Sequence, residues 1–289
     1  MNELVKRTIT GVVYTLLLLC AIMLNMHTFG ALFYLFGIMC VYEFARMQQQ
    51  HNFWIYLLFS FFYILFVFFQ QDFVLLIFLF LTIIIDLYLI YFLFKKKNIV
   101  YSNLRKNMLN FFYVGMGVTF IPLLYKMEVL HSIGKDGNPA VFSEFSLPFF
   151  QVNEAQHTMI AILCIIWASD TFAYLSGKNF GKHKLFPSVS PKKTIEGFIG
   201  GLLGAVLVAI CFSFYSVKTI WEWGVIALLL VVFGTFGDLV ESKFKRMAGV
   251  KDSGTILPGH GGILDRLDSL IFTAPFLYLF LSLIHFIKI

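Results

Sequence analysis

Apolar runs about twenty residues long recur from one end of this 289-residue chain to the other, and they decide its solvent. A helix that crosses a bilayer needs ~20 mainly apolar residues. Nine such segments can be placed, near residues 9–26, 29–45, 53–69, 73–94, 108–127, 157–177, 197–217, 221–241 and 264–286. Most are too long for strands, and the strands of a membrane barrel would alternate in polarity. The expectation is an all-α, polytopic integral membrane protein with about nine transmembrane helices. Only 13% of the residues are charged, against about 25% in soluble domains. The longest polar interval, roughly 128–157, is too short for a soluble domain and reads as a solvated connector.

The net charge of +6 raises nucleic acid as a partner. The basic residues argue against it, because they sit in loops between apolar runs and do not line an amphipathic groove. That is the signature of membrane topology. With the N-terminus inside, 18 of the 22 lysines and arginines fall on the inner side. The polar stretch between the last two spans is then cytoplasmic, and the C-terminus lies outside. No small-residue cleavage site follows the opening MNELVKR, so the first apolar run is expected to be a retained span. Cys20, Cys40, Cys164 and Cys211 lie far apart inside apolar runs and read as packed thiols, with no zinc or disulfide pattern.

The first half says little about chemistry. Glu43 and Arg46 are three apart near the inner end of a span, and either pair with each other or lie close to a site. Asp86 falls within the fourth span, where a carboxylate without a partner is costly. His27, His51, His131, His157, His183 and His285 lie near segment ends or in loops and are not expected to be ligands. In the second half Asp170 lies within the sixth span, and is either functional or a buried, hydrogen-bonded carboxylate. Ser190-Pro-Lys-Lys193-Thr194 follows, with Pro191 after a serine as a helix start. Ser190 or Thr194 is expected to cap the next span, and a helix N-terminus beside Lys192 and Lys193 attracts phosphate. Two overlapping GxxxG pairs, Gly197/Gly201 and Gly200/Gly204, read as helix packing.

The densest group of charges lies in Gly234–Ser269. Asp238, Ser242 and Lys245 share a helix face at i, i+4 and i+7, with Arg246 beside them. Glu241 and Lys245 can pair at i, i+4. Asp265 and Asp268 share a face at the start of the last span. Two helix ends thus aim carboxylates at one volume, and a glycine-rich loop with Lys251, Asp252 and His260 can fold across it. Carboxylates that cannot all stay charged in a dry site call for a cation, and magnesium is the oxygen-loving candidate. Lys245, Arg246, Lys251 and Arg266 match phosphate groups. Acids, bases and a glycine-rich backbone together suit phosphoryl or nucleotidyl transfer.

The run Ser242-Lys-Phe-Lys245-Arg246, Lys251-Asp252-Ser-Gly254, Pro258-Gly-His260-Gly-Gly262 and Asp265-Arg266-Leu-Asp268 resembles the signature of phosphatidate cytidylyltransferases, or CDP-diacylglycerol synthases. Asp170-Thr-Phe-Ala-Tyr174 and Ser190-Pro-Lys-Lys193-Thr194 resemble that family as well. The likeness covers about the last 120 residues, and the first half resembles the family mainly in span pattern. It implies a membrane enzyme that transfers CMP from CTP to phosphatidate with Mg2+, as a homodimer in the bacterial cytoplasmic membrane. The span pattern divides the chain into an N-terminal bundle of about five spans (1–127), an extracytoplasmic loop (128–156) and a C-terminal bundle carrying the signature, expected to be catalytic (157–289). By resemblance, Asp238 and Asp265 are the first choices for the metal, with Asp268 and Asp170 next. Asp238, Asp265, Lys245 and Arg246 are the catalytic candidates. Lys245, Arg246, Lys251 and Arg266 would hold phosphates and the departing pyrophosphate. Ser190, Lys193 and Thr194 would hold one substrate's phosphate, and Ser242, Asp252 and His260 complete the substrate contacts. Two other readings stay open: a CTP-dependent enzyme acting on a different lipid phosphate, and a transporter that uses Asp86 and Asp170 as a relay.

Overall fold

The structure, a computed structural model, describes residues 3–50, 52–69, 72–95, 102–132, 146–147, 150–259 and 261–288. Its helices are α1 (Glu3–Leu24), α2 (Met26–Met47), α3 (Trp54–Phe68), α4 (Asp72–Phe94), α5 (Asn103–Leu109), a π-helix (Asn110–Met116), α6 (Gly117–Ser132), α7 (Glu154–Phe180), α8 (Ile195–Ser213), α9 (Ile220–Met247) and α10 (Leu264–Ile287). Two short hairpins join them, β1 (Ser146–Leu147) with β2 (Phe150–Gln151), and β3 (Lys184–Phe186) with β4 (Ser190–Thr194). Every expected apolar segment falls on a helix. Among the described residues eight stretches are long and apolar enough to cross a membrane, with α5, the π-helix and most of α6 forming one of them. The exception is α3, whose 15 residues reach about 22 Å at 1.5 Å per residue.

Helix ends follow local side-chain chemistry. Asn25 caps α2 by accepting from Thr28 N while the Thr28 hydroxyl accepts from Asn25 N, and Asn153 and Gln156 repeat this box at α7. Thr194 caps α8 by accepting from Gly197 N, as anticipated. Pro191 does not start that helix. It sits in β4, whose Ser190 and Thr194 pair with Phe186 and Lys184. A proline tolerates an edge strand, and the hairpin defers the helix to Ile195. The polar interval is also shorter than expected, because Glu128 lies in α6 and Glu154–His157 in α7. Residues 133–145 lie outside the described residues.

The chain has two compact units. One comprises Met1–Leu123 with Phe236–Leu279, and the other Leu124–Thr235 with Phe280–Ile289. The first has an aromatic core. Phe44 of α2 meets Phe244 of α9 at 5.0 Å and Tyr113 of the π-helix at 5.6 Å, and Tyr113 meets Phe272 of α10 at 6.0 Å. Lys243, buried beside Phe244, donates to the carbonyls of Phe92, Leu93 and Lys95 and so completes the C-terminus of α4.

In the second unit α7 and α8 pack backbone to backbone. A Cβ on Gly197 would lie 2.9 Å from the Ala173 carbonyl oxygen, and one on Gly201 would lie 2.9 Å from that of Ser169. The GxxxG pattern thus serves helix packing, as read. Elsewhere in this unit Lys218 is buried with its ammonium 2.6 Å from Glu128 Oε2 and 3.1 Å from Glu154 Oε1. It also donates to Thr158 Oγ1, and Ser216 Oγ donates to Glu154. Burial alone would lower the Lys218 pKa, but the two carboxylates outweigh burial and hold it above its ordinary value.

Candidate active site

The site is built where α9 and α10 meet in the first unit. Gly237 lets them close, since a Cβ there would lie 2.6 Å from the Asp268 carbonyl oxygen. That approach brings Asp238 and Glu241, one turn apart on α9, against Asp268 on α10. One carboxylate oxygen from each lies within 4.8 Å of the others. Glu241 is fully buried, Asp268 is 8% exposed and Asp238 is half-buried. Asp238 accepts from Ser242 Oγ at 3.2 Å, the i, i+4 contact expected on that face. Asp268 accepts from Ser269 N at 2.7 Å.

Lys245 occupies the next turn of α9. Its ammonium lies 2.6 Å from Glu241 Oε2 and 2.7 Å from Asp265 Oδ1. The anticipated Glu241–Lys245 pair is therefore present, and the lysine is shared with the start of α10. Glu241 Oε1 is buried with no hydrogen-bond partner. An unpaired buried carboxylate oxygen is costly, and here it faces a group already rich in negative charge. Three carboxylates that converge with one orphaned oxygen can hold a hard divalent cation, which prefers oxygen ligands.

Asp265 takes a different position from its neighbours. Its carboxylate accepts from Ser253 N, Gly262 N and Lys245 Nζ, and lies 3.0 Å from Ser253 Oγ, whose single proton it shares with Glu43. These donors fill it, so the acid that joins Asp238 and Asp268 is Glu241. Asp265 instead ties both ends of the 253–262 loop to the first turn of α10. Glu43, reaching in from α2, repeats the device one layer deeper. It is 1% exposed and accepts from Ser253 Oγ at 3.0 Å, Ile263 N at 3.2 Å and Leu264 N at 2.9 Å. It thus supplies the negative charge that the N-terminus of α10 favours. No Glu43–Arg46 ion pair is found among the described residues. Gly262 must be glycine for this arrangement, because a Cβ would collide with Ser253 Oγ and Glu43 Oε2. Gly261 turns the chain at φ 87°, a conformation that glycine adopts freely.

The remaining candidates divide by unit. Arg246, Lys251, Asp252 and Arg266 are exposed on the first unit around the pinned loop. Arg246 also reaches the Val250 carbonyl at 3.4 Å. His260 lies outside the described residues. Asp170, Ser190, Lys193 and Thr194 belong to the second unit. There Asp170 is exposed on α7, and Thr194 is buried as the cap of α8. Glu196, in the first turn of α8, accepts from His183 N and lies 2.6 Å from His183 Nδ1.

The sequence reading missed Glu241 as a third acid and Glu43 and Ser253 as the loop's anchors. A signal for Glu241 existed, since it stands three residues after Asp238 just as Asp268 stands three after Asp265. Glu43 gave only the hint of a carboxylate at the inner end of a span.

Residues 5–284 match the cytidylyltransferase family. The chain belongs to that family. A phosphatidate cytidylyltransferase of Staphylococcus haemolyticus is 50% identical over 131 residues, 45% of this chain and 50% of the relative. One from Staphylococcus aureus is 51% identical, and one from Staphylococcus saprophyticus 48%, each over the same length. These matches span about half the length of the relatives. The resemblance carried by the 234–269 stretch therefore holds at the level of the family.

Proposed function

We propose that this membrane protein is a phosphatidate cytidylyltransferase, which converts CTP and phosphatidate to CDP-diacylglycerol and pyrophosphate. The observation that carries the reading is the Asp238–Glu241–Asp268 cluster under a loop pinned by Asp265 and Glu43. The printed names of the staphylococcal relatives support the substrates. A phosphatidate oxygen attacks the α-phosphorus of CTP, and the bond from that phosphorus to the bridging oxygen of pyrophosphate breaks. The nucleophile is already ionised, so no carboxylate has to take a proton. The acids serve instead as ligands, with Asp238, Glu241 and Asp268 the residues that would hold Mg2+. Bound there, the ion would offset negative charge on the CTP phosphates.

Lys245 holds Glu241 and Asp265 in place between the two helices. The exposed Arg246, Lys251 and Arg266 are placed around the loop to receive phosphates. The lysine and arginine distribution supports a cytoplasmic loop and N-terminus in a bacterial cytoplasmic membrane. A homodimer is the assembly that the family resemblance implies.

Purified protein given labelled CTP, Mg2+ and phosphatidate in detergent micelles is expected to release pyrophosphate and form labelled CDP-diacylglycerol. Product from an isoprenoid phosphate but not from phosphatidate would reassign the acceptor. No nucleotide-linked lipid from either would overturn the reading.

A further inference from the structure

Asp86 lies inside α4 at 1% exposure, and neither of its carboxylate oxygens has a hydrogen-bond partner among the described residues. An ionisable group within a span is costly, and by default it marks a functional position. The packing of α4 on α9 shows what Asp86 stands beside. Lys243 of α9 donates to the last carbonyls of α4, and Phe92 meets Phe244 at 5.7 Å, so the two helices end together. Asp86 precedes Phe92 by six residues, as Asp238 precedes Phe244. Both carboxyl groups therefore lie at one depth, about 9 Å along the helices from that ring pair at 1.5 Å per residue.

Tyr113 stands between Asp86 and the acidic cluster. It is fully buried in the π-helix, and its hydroxyl also has no hydrogen-bond partner among the described residues. Its ring lies 6.5 Å from Phe244 and 6.0 Å from Phe272, which follow Glu241 and Asp268 by about one turn. The backbone fixes that level. A Cβ on Gly117, a turn after Tyr113, would lie 2.7 Å from the carbonyl oxygen of Ile271, a turn after Asp268. The charges that act on the Tyr113 hydroxyl are, from the strongest, Glu241, Asp268, Asp86 and Asp238. A phenylalanine would fill the same space among Phe44, Phe244 and Phe272 and would leave no polar atom to satisfy. A buried hydroxyl without a partner costs stability, and π turns recur at functional sites. The unpaired Glu241 Oε1 is the acceptor that gives this hydroxyl a use.

We propose that Tyr113, with Asp86 behind it, is a positioning residue for the candidate metal site. Its hydroxyl donates to the Glu241 carboxylate, directly or through one water, and holds that carboxylate in the orientation that serves a cation. A phenolic hydroxyl donates once and also accepts, so it can meet both carboxyl groups. The proposal rests on the transferase reading and on the assignment of the cation to Asp238, Glu241 and Asp268.

The test titrates Mn2+ into the purified full chain in detergent, without CTP or lipid, and follows the paramagnetic resonance of the free ion. Tyr113→Phe is expected to weaken Mn2+ binding roughly 10-fold, as for the loss of a group that supports a metal ligand. Its thermal midpoint in chelator is expected to equal or exceed that of the unsubstituted protein. Glu241→Gln is expected to weaken binding as well, and adding Tyr113→Phe to it should change nothing further, because the hydroxyl acts through that carboxylate. Asp86→Asn is expected to cause a smaller loss that does not add to that of Tyr113→Phe. Unchanged Mn2+ binding by Tyr113→Phe would overturn the proposal. So would losses that add in either pair, or a loss matched by a lower midpoint in chelator, which would make the role one of packing. CDP-lipid formation by a protein whose Mn2+ binding ignores Tyr113→Phe would sink this role and leave the transferase reading standing. Mn2+ binding that depends on Tyr113 in a protein that forms no CDP-lipid would do the reverse.

Discussion

Acidic side chains that look alike in sequence do different work in this site. Asp238, Glu241 and Asp268 converge and leave an oxygen unpaired, whereas Asp265 and Glu43 are filled by loop donors. The two groups should respond differently to substitution. Glu241→Gln is expected to lower turnover by about 100-fold and to raise the Mg2+ concentration needed for half activity. Asp265→Asn is expected to lower turnover by roughly 10- to 100-fold at saturating Mg2+, because it removes a support and not a ligand. Titrating Mg2+ against initial rate separates the two. An unchanged Mg2+ midpoint in Glu241→Gln would remove it from the metal set. The Asp265 variant should also be cut faster by protease in the 251–262 segment. Spacing put Asp265 and Asp268 on one helix face, and only their hydrogen-bond partners tell their surroundings apart.

Among the elements, the α7–α8 pair is where sequence pattern and structure agree most closely. Its glycines let backbone lie on backbone, and each added carbon has nowhere to go. Gly201→Leu is expected to destabilise the protein by about 1–3 kcal/mol through overpacking, read as a lower thermal midpoint in detergent. A midpoint equal to that of the unsubstituted protein would mean that the helices part at little cost. The hairpin before α8 was not legible, because Ser-Pro-Lys-Lys-Thr satisfies the rules for a helix start and for an edge strand equally well. The π-helix within the fifth span was also hidden, since a single widened turn leaves the apolar pattern intact. The third span was legible as helix but not in its length.

For the molecule as a whole, stability depends on charges buried far in sequence from the 253–262 loop. Lys218 serves two glutamates, so Lys218→Met would leave both without their ammonium. A loss of about 3–5 kcal/mol is expected, as for breaking a buried pair, measured by chemical unfolding in micelles. A change below about 1 kcal/mol would mean that the cluster is solvated. Because the folded-state pKa of Lys218 is raised, its contribution is fully present below the ordinary value of 10.5 and is lost only as pH rises through the higher folded value. The lysine's share of the difference between the two proteins is therefore expected to stay constant from neutral pH to mild alkalinity.

By itself the sequence determined the solvent, the helical class and the family resemblance. Long apolar runs leave few ways to satisfy a backbone in lipid, and a cluster of charges in such a chain stands out. It also narrowed the cap of α8 to Ser190 or Thr194 and determined the packing role of its glycines, because both depend on residues three or four apart. The tertiary structure decided which acids share a volume, and that Glu43, some 200 residues upstream, holds the loop through Ser253, Ile263 and Leu264. Those assignments depend on contacts between distant segments, and no local spacing records which carboxylate meets a backbone N–H and which is left to meet a cation.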